Sequence, residues 1–298
     1  LVEGADYQRV SLAGGEAVQV RNPYSDLFQL RLSFDLGVEN APVFAQCLGL
    51  WSRAGAGSRD RSALESELFS RGLHLDAQSG AHSSGLVLAG PGDQLEPGLQ
   101  ILRERLAHPT LDRDEVADFL KDAVRARRER SLTRDFHVHA LRAFALRGKD
   151  SAWMSEALSD KRLLALIDEG VAARLRPAQH VAVRVGLAGA AVDLPSLLPG
   201  AAELHPPPPP AQRFVPEDHP SVLLLHHPAV QASVSLFIGL GQLPGDPVPE
   251  LAVGREYLGG SAGLIFQEIR ERRGLAYAAS AGLEPGWRSH DDALAWAG

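Results

Sequence analysis

Apolar and polar residues alternate in two stretches of the chain. The apolar positions are Phe28, Leu30, Leu32, Phe34 and Leu36 in the first stretch, and Val230, Ala232, Val234, Leu236 and Ile238 in the second. Because successive side chains of a strand point to opposite faces, a period of two places all the apolar residues of a stretch on one face. Each stretch is therefore expected to form a strand with one buried face.

Both stretches lie within an internal repeat. Residues 18–23 align with 223–228 at an offset of 205, and residues 71–80 align with 273–282 at an offset of 202. In each copy the second of these segments follows a stretch with a helix-like pattern. A nearly constant offset, here 202 to 205, is the sequence signature of a duplicated structural unit. We therefore expect two copies of one domain.

Helical patterns follow the strands of the first copy. Leucines recur at helical spacing from Leu95 to Leu106, and residues 112–115 form a capping-box variant that opens a second helix. A further helix is predicted over residues 160–175, followed by alternating apolar positions from Val181 to Leu187. Strands that bracket helices predict an α+β domain, with a mainly antiparallel sheet and helices packed on one face.

The predicted domain organisation has three parts. Residues 1–200 form the first repeat, residues 201–215 a proline-rich linker, and residues 216–298 the start of a second repeat. The five consecutive prolines before residue 211 favour an extended, semi-rigid spacer. By the same spacing a complete second copy would reach roughly residue 400, so the second copy is expected to be truncated.

Composition narrows the classes of function. The formal charge of −7 has the wrong sign for a general nucleic-acid or anionic-membrane binder, and the chain has no apolar run long enough for membrane insertion. The basic cluster at residues 125–130 is interpreted as a solvated helix end. A single cysteine does not indicate a redox compartment, so the localisation stays unknown. A soluble protein of the bacterial periplasm or cytoplasm is expected. The excess of arginine over lysine favours a GC-rich bacterial gene.

Four segments carry a family resemblance. They are the alternating strands, the helical segment 61–72, the segment 108–115, and above all residues 264–277, which read LIFQEIRERRGLAY. Together they resemble the pitrilysin/insulinase family of zinc peptidases, including the mitochondrial processing peptidases. The resemblance implies tandem α+β domains that close around an extended peptide.

The zinc motif of that family is missing from this sequence. The family motif, H-x-x-E-H, binds zinc through two histidines and uses the glutamate as general base. It would fall within residues 41–51, which contain neither histidine nor acid, and the distal glutamate would fall where residues 123–126 read AVRA. The resemblance therefore implies a non-metal-binding half, without hydrolytic residues or a cofactor of its own. Zinc is expected in an H-x-x-E-H partner subunit or half.

The resemblance also assigns two substrate-binding residues, Arg270 and Tyr277. In active members of the family, the metal-free half contributes an arginine and a tyrosine at this spacing to the closed site. A guanidinium binds a peptide carbonyl or carboxylate, and a phenol donates to a developing oxyanion. The alternative is that Arg270, Arg272 and Arg273 only decorate a helix end, while Tyr277 packs at the start of a strand.

Two other functions compete with this accessory role in proteolysis. One is a structural homologue that assembles without cleaving, like the respiratory core proteins. The other is a serine hydrolase, since residues 259–263 satisfy G-x-S-x-G with Ser261 as nucleophile. That motif requires a preceding strand, whereas residues 250–258 predict a helix. Two histidine clusters, 137–139 and 226–227, lack acids or cysteines at ligand spacing and are interpreted as non-ligands.

Overall fold

The described residues of this computed structural model group into two compact units. One unit draws on residues 1–126 and 156–209, and the other on residues 127–155 and 210–298. The structure describes residues 2–12, 15–21, 24–34, 36–39, 41–151, 180–186, 211, 213–215, 219–226, 232–288 and 291–298. The predicted helix 160–175 and the prolines of the linker lie outside these ranges. The predicted domain boundaries at residues 200 and 215 stay a prediction. Residues 127–155 were predicted to belong to the first repeat, but in the structure they group with the second unit.

A six-stranded sheet forms the base of the first unit, in the order β1-β2-β8-β3-β6-β5. Its strands are β1 (Tyr7–Leu12), β2 (Gly15–Arg21), β3 (Leu27–Phe34), β5 (His74–Ser79), β6 (Ser84–Pro91) and β8 (His180–Gly186). Two short strands, β4 (Gly55–Ala56) and β7 (Pro109–Thr110), pair separately. All the sheet neighbours are antiparallel except β2 and β8, which run parallel. The predicted α+β class with a mainly antiparallel sheet is confirmed.

The first predicted strand has the buried face that its alternation requires. Phe28, Leu30, Leu32 and Phe34 of β3 are all buried, while Gln29 and Arg31 between them are exposed. In the antiparallel register, Leu30 lies opposite Leu88 and Leu32 opposite Leu86 of β6. These residues join one hydrophobic core with apolar residues of the helices that follow.

Three helices complete that core: α1 (Pro42–Trp51), α2 (Arg61–Ser70) and α3 (Leu95–Ala107). Asp60 caps α2 by accepting a hydrogen bond from the Ala63 N–H at 2.7 Å. The leucines of α3 that predicted a helix, including Leu99 and Leu102, are buried in the core. Arg59 pairs with Glu67 of α2 and Glu104 of α3, which links the two helices.

Arg105 of α3 is buried against α1. Its guanidinium lies 4.4 Å from the centroid of the Trp51 ring and donates to the Ser52 carbonyl at 2.8 Å. The Trp51 indole in turn donates to the Arg105 carbonyl at 3.1 Å. Burial lowers the pKa of Arg105 to about 10. This stack fixes the end of α1 to α3.

Two further helices are α4 (Arg113–Ser131) and α5 (Arg134–Arg147). The capping box predicted for α4 is present, since the Asp112 N–H donates to the Glu115 carboxylate at 3.2 Å. The arginines near the end of α4 are exposed, as expected for a solvated helix end. Thr133 caps α5 by accepting from the Phe136 N–H at 3.3 Å.

The second unit repeats the order and pairing of elements seen in the first. Besides α5, it contains β9 (Leu236–Gly241), α6 (Val248–Gly259), α7 (Leu264–Phe266), a π-helix (Gln267–Arg272), β10 (Ala281–Glu284) and β11 (Ala293–Ala297). Its antiparallel sheet has the order β10-β11-β9, which matches β5-β6-β3 in the first unit. The α6 helix corresponds to α1, and α7 with the π-helix corresponds to α2. The duplicated topology therefore follows the repeat in the sequence.

Two predictions about the second strand are wrong. The strand begins at Leu236 because β9 pairs with β11, and Leu236 is matched to Ala297, the last residue of β11. Of the earlier residues, 230 and 231 lie outside the described part, and residues 232–235 are not in a strand. The apolar face of β9, with Leu236, Ile238 and Leu240, is exposed. In the first unit α3 contributes to the core beneath β3, and the described residues of the second unit contain no counterpart of α3.

Candidate functional site

Arg270 lies in the π-helix that continues α7, and Tyr277 lies in the segment that follows it. Gly263 begins this helix by accepting a hydrogen bond from the Gln267 N–H at 3.0 Å. The helix ends at Arg272, and Gly274 follows with a φ of +59°, which suits glycine because a side chain would be strained there. The N–H of Gly274 donates to the Arg270 carbonyl, and that of Leu275 donates to the Ile269 carbonyl, both at 3.0 Å. These bonds turn the chain back so that Tyr277 lies beside the helix.

The structure brings Arg270 and Tyr277 into contact. The guanidinium carbon of Arg270 lies 5.2 Å from the centroid of the Tyr277 ring. It also lies 4.9 Å from the ring of Phe266, one turn earlier on the helix. A guanidinium within about 6 Å of an aromatic centroid is attracted to the ring face. Two cation–π contacts therefore hold Arg270, and Phe266 is a member of the site that sequence reasoning missed.

The three arginines of this helix end have different partners. Glu268 pairs with Arg272 and lies 3.9 Å from Arg273. Among the described residues, the only ion pair of Arg270 is with Glu271, whose side chain is half exposed. The Nε atom of Arg270 lies 3.5 Å from the Glu271 carboxylate. The alternative, in which all three arginines only decorate a helix end, does not account for these different partners. Arg270 alone is placed against aromatic rings.

Tyr277 does not open a strand, contrary to its sequence pattern. The strand β10 begins at Ala281, which pairs with Ala297, the last residue of β11. The next residues, Ser280 and Gly298, exchange backbone hydrogen bonds at the end of this pairing. The Tyr277 side chain is 87% exposed. Its phenol and the terminal N–H groups of Arg270 are thus presented to solvent as hydrogen-bond donors. Such a pair is suited to binding carbonyl oxygens or a carboxylate.

The residues at the place of the zinc motif do not fit a metal. They form α1, whose side chains include the buried Cys47, Leu48 and Trp51. In the part of the chain that the structure describes, no three His, Cys, Asp or Glu residues converge as a metal-binding group. His139 contacts the Asp135 carbonyl of its own helix at 2.7 Å through Nδ1, and His226 is exposed. His227 lies outside the described residues.

The G-x-S-x-G motif lies in a turn between two helices. The preceding residues form α6, which confirms the predicted helix and excludes the strand that a nucleophile elbow needs. Ser261 lines an open cleft of about 480 Å³ with Glu256, Tyr257 and Glu268. His290, the histidine that follows Ser261 in the sequence, lies outside the described residues. The hydrolase hypothesis therefore loses its structural basis.

Among the described helices, none combines the length and the apolar character that spanning a bilayer requires.

Comparison with known proteins identifies the fold. No family model and no curated protein matches the chain. Similar solved structures include the following three. The inactive domain of an M16 peptidase from Pseudomonas fluorescens matches with TM-score 0.69 and 19% identity, over 98% of this chain and 73% of that one. The periplasmic protease PqqL from Escherichia coli matches with TM-score 0.73 and 16% identity, over 100% of this chain and 34% of that one. A protease from Helicobacter pylori matches with TM-score 0.65 and 13% identity, over 98% of this chain and 74% of that one.

These likenesses establish the fold alone, because their sequence identities are 13% to 19%. The fold expected from the pitrilysin-type resemblance is the fold of the inactive M16 domain. The chain spans only about a third of the length of PqqL.

Proposed function

We propose that this chain is the non-catalytic half of a pitrilysin-type zinc peptidase. In this role it binds extended peptide and supplies Arg270 and Tyr277 to a zinc site on another subunit or half. The observation that carries the proposal is the 5.2 Å contact between the Arg270 guanidinium and the Tyr277 ring. Support also comes from the fold shared with an inactive M16 domain.

The chemistry of the pair suits a transition state in which negative charge develops on a carbonyl oxygen. The Arg270 guanidinium carries a permanent positive charge, and the exposed Tyr277 phenol donates one hydrogen bond. A preorganised donor of this kind typically contributes a factor of about 10²–10³ to turnover. The zinc-bearing partner would supply the activated water, and this chain would bind and orient the peptide.

The peptide would bind in an extended conformation by adding a strand to the three-stranded sheet. The edges of that sheet, among the described strands, are β9 and β10. Unpaired backbone groups at an edge provide hydrogen bonds to a peptide of any sequence. Such binding would hold the scissile region without strong selectivity for side chains.

A purely structural role in an assembly is the second candidate. The exposed apolar face of β9 favours it, because contiguous exposed apolar residues mark surfaces that bind other proteins. The two candidates differ in one respect. An assembly role needs the surface of the sheet and makes no use of the hydroxyl of Tyr277.

The test combines this chain with the H-x-x-E-H subunit, or uses the full-length protein where both halves form one polypeptide. Cleavage of fluorogenic peptides of about 15 residues is measured with each half alone and with both together. The proposal predicts chelator-sensitive cleavage only when both are present, and loss of binding and turnover in Arg270→Ala. Full activity of the zinc-bearing half alone, unchanged by this chain, would support the assembly role instead.

A further inference from the structure

Three residues of the site occupy positions that form part of the core in the first copy. At the repeat offset of 202, Phe266, Arg270 and Tyr277 match Leu64, Leu68 and Leu75. Leu64 and Leu68 are buried in the core of the first unit, and Leu75 packs against it. The duplicated fold therefore brings these three positions together in both copies, although their side chains differ.

The glycines that end the two helices fix this alignment independently of the side chains. Gly72 has φ of +64° and Gly274 has φ of +59°, and the same offset of 202 relates them. Positive φ at the residue after a helix is the typical glycine C-cap. Leu68 and Arg270 each precede their glycine by four residues. The match therefore rests on backbone geometry as well as on sequence.

Phe266 is placed to restrict the arginine. Its ring lies 4.9 Å from the Arg270 guanidinium carbon, and residues four apart on a helix are neighbours on its surface. A stacked guanidinium still has its in-plane N–H groups free to bind a carbonyl or carboxylate. In the described part of the chain, no hydrogen bond of the Arg270 Nη atoms is present. Contact with a ring therefore orients Arg270 without using its terminal donors.

We infer that Phe266 is a positioning residue of the proposed peptide site, which holds the Arg270 guanidinium against Tyr277. The inference rests on the proposed function and adds a residue to it. It assigns Phe266 no contact with the peptide. Its effect is exerted through Arg270, by restricting the conformations of a long side chain before the peptide binds.

The first test needs no partner. The Nε–H resonances of the arginines are recorded by ¹H–¹⁵N NMR in the isolated chain, and Arg270→Lys identifies the signal of Arg270. Phe266→Leu, which introduces the residue found at position 64, should shift the Arg270 signal as the ring current is lost. Phe266→Trp should keep a ring-shifted signal, and the signals of Arg272 and Arg273 should stay in place in both variants. An unmoved Arg270 signal in Phe266→Leu would overturn the inference.

The second test uses the peptidase assay with the zinc-bearing half. Phe266→Leu should raise KM about 3-fold, the scale of one exposed cation–π contact, and leave kcat within about 2-fold. Phe266→Trp should restore KM, a rescue that a packing defect would not give. In the Arg270→Ala background, Phe266→Leu should have no further effect on KM. If Phe266→Leu does not fold, Phe266→Met tests the same prediction.

The outcomes separate the inference from the function on which it rests. An unchanged KM in Phe266→Leu, with large losses in Arg270→Ala and Tyr277→Phe, would overturn the role of Phe266 alone. Full activity of both Arg270→Ala and Tyr277→Phe would overturn the proposed function itself.

Discussion

Leu68 and Arg270 occupy the same position in the two copies of the repeat, four residues before a glycine with positive φ. Leu68 is 8% exposed and belongs to the core of the first unit, whereas the Arg270 side chain is 41% exposed and lies against two aromatic rings. One backbone arrangement thus supports a core contact in the first copy and a charged surface site in the second.

This relationship predicts opposite tolerance to substitution at the two positions. Leu68→Arg should lower the free energy of unfolding of the first unit by about 3 kcal/mol or more, because it buries a charge without a partner. Arg270→Leu should change the stability of the second unit by less than about 1 kcal/mol, since only exposed cation–π contacts are lost. Native-state hydrogen exchange reports the two units separately. Equal losses at both positions would contradict the correspondence.

Much of the fold was predictable because its determinants are local. The alternation of β3, the leucines of α3 and the capping box of Asp112 and Glu115 each depend on residues close in sequence. The start of β9 and that of β10 were not predictable, because both depend on how far the distant strand β11 extends. A strand forms only where a partner backbone is available, and the alternation of side chains does not report that partner.

The candidate site was predictable only in part. Arg270 and Tyr277 came from the family resemblance, and the structure places them in contact. Phe266 was missed, although its i, i+4 spacing to Arg270 was a usable signal. The π-helix was missed because its wider turn has no characteristic residue pattern. The different pairing of Arg272 and Arg273 with Glu268 likewise depends on the three-dimensional arrangement of these side chains.

The ion pair of Arg53 with Asp122 predicts a pH dependence in the first unit. A hydrogen bond from Arg53 at 2.9 Å holds the pKa of the Asp122 carboxyl below its ordinary value of 3.8. Because the folded pKa is depressed, the stabilisation is present above the unfolded pKa and is lost as pH falls through the folded pKa. NMR titration of the Asp122 carboxyl should give a midpoint below 3.8. In Arg53→Gln the midpoint should rise, and an identical midpoint in both proteins would exclude the ion pair as its cause.

The chain on its own should neither hold stoichiometric zinc nor cleave peptides. The positions of the family zinc motif lie in α1, which carries neither a histidine nor an acid. Metal analysis of chelator-washed protein, followed by readdition of zinc, should find far less than one zinc per chain and no peptidase activity. One tightly bound zinc per chain, with activity that follows its occupancy, would contradict the division of labour between two halves.

The kinetics of Tyr277→Phe, in the presence of the zinc-bearing half, test the central claim most directly. The substitution removes one exposed hydroxyl and keeps the ring against Arg270, so folding and assembly should be unaffected. If the phenol donates to the developing oxyanion, kcat should fall by about 10²-fold or more. Arg272→Ala and Arg273→Ala serve as matched controls and should cost no more than other surface charges. A fully active Tyr277→Phe complex, with equal and small losses at Arg270, Arg272 and Arg273, would show that this domain is a scaffold and not part of the active site.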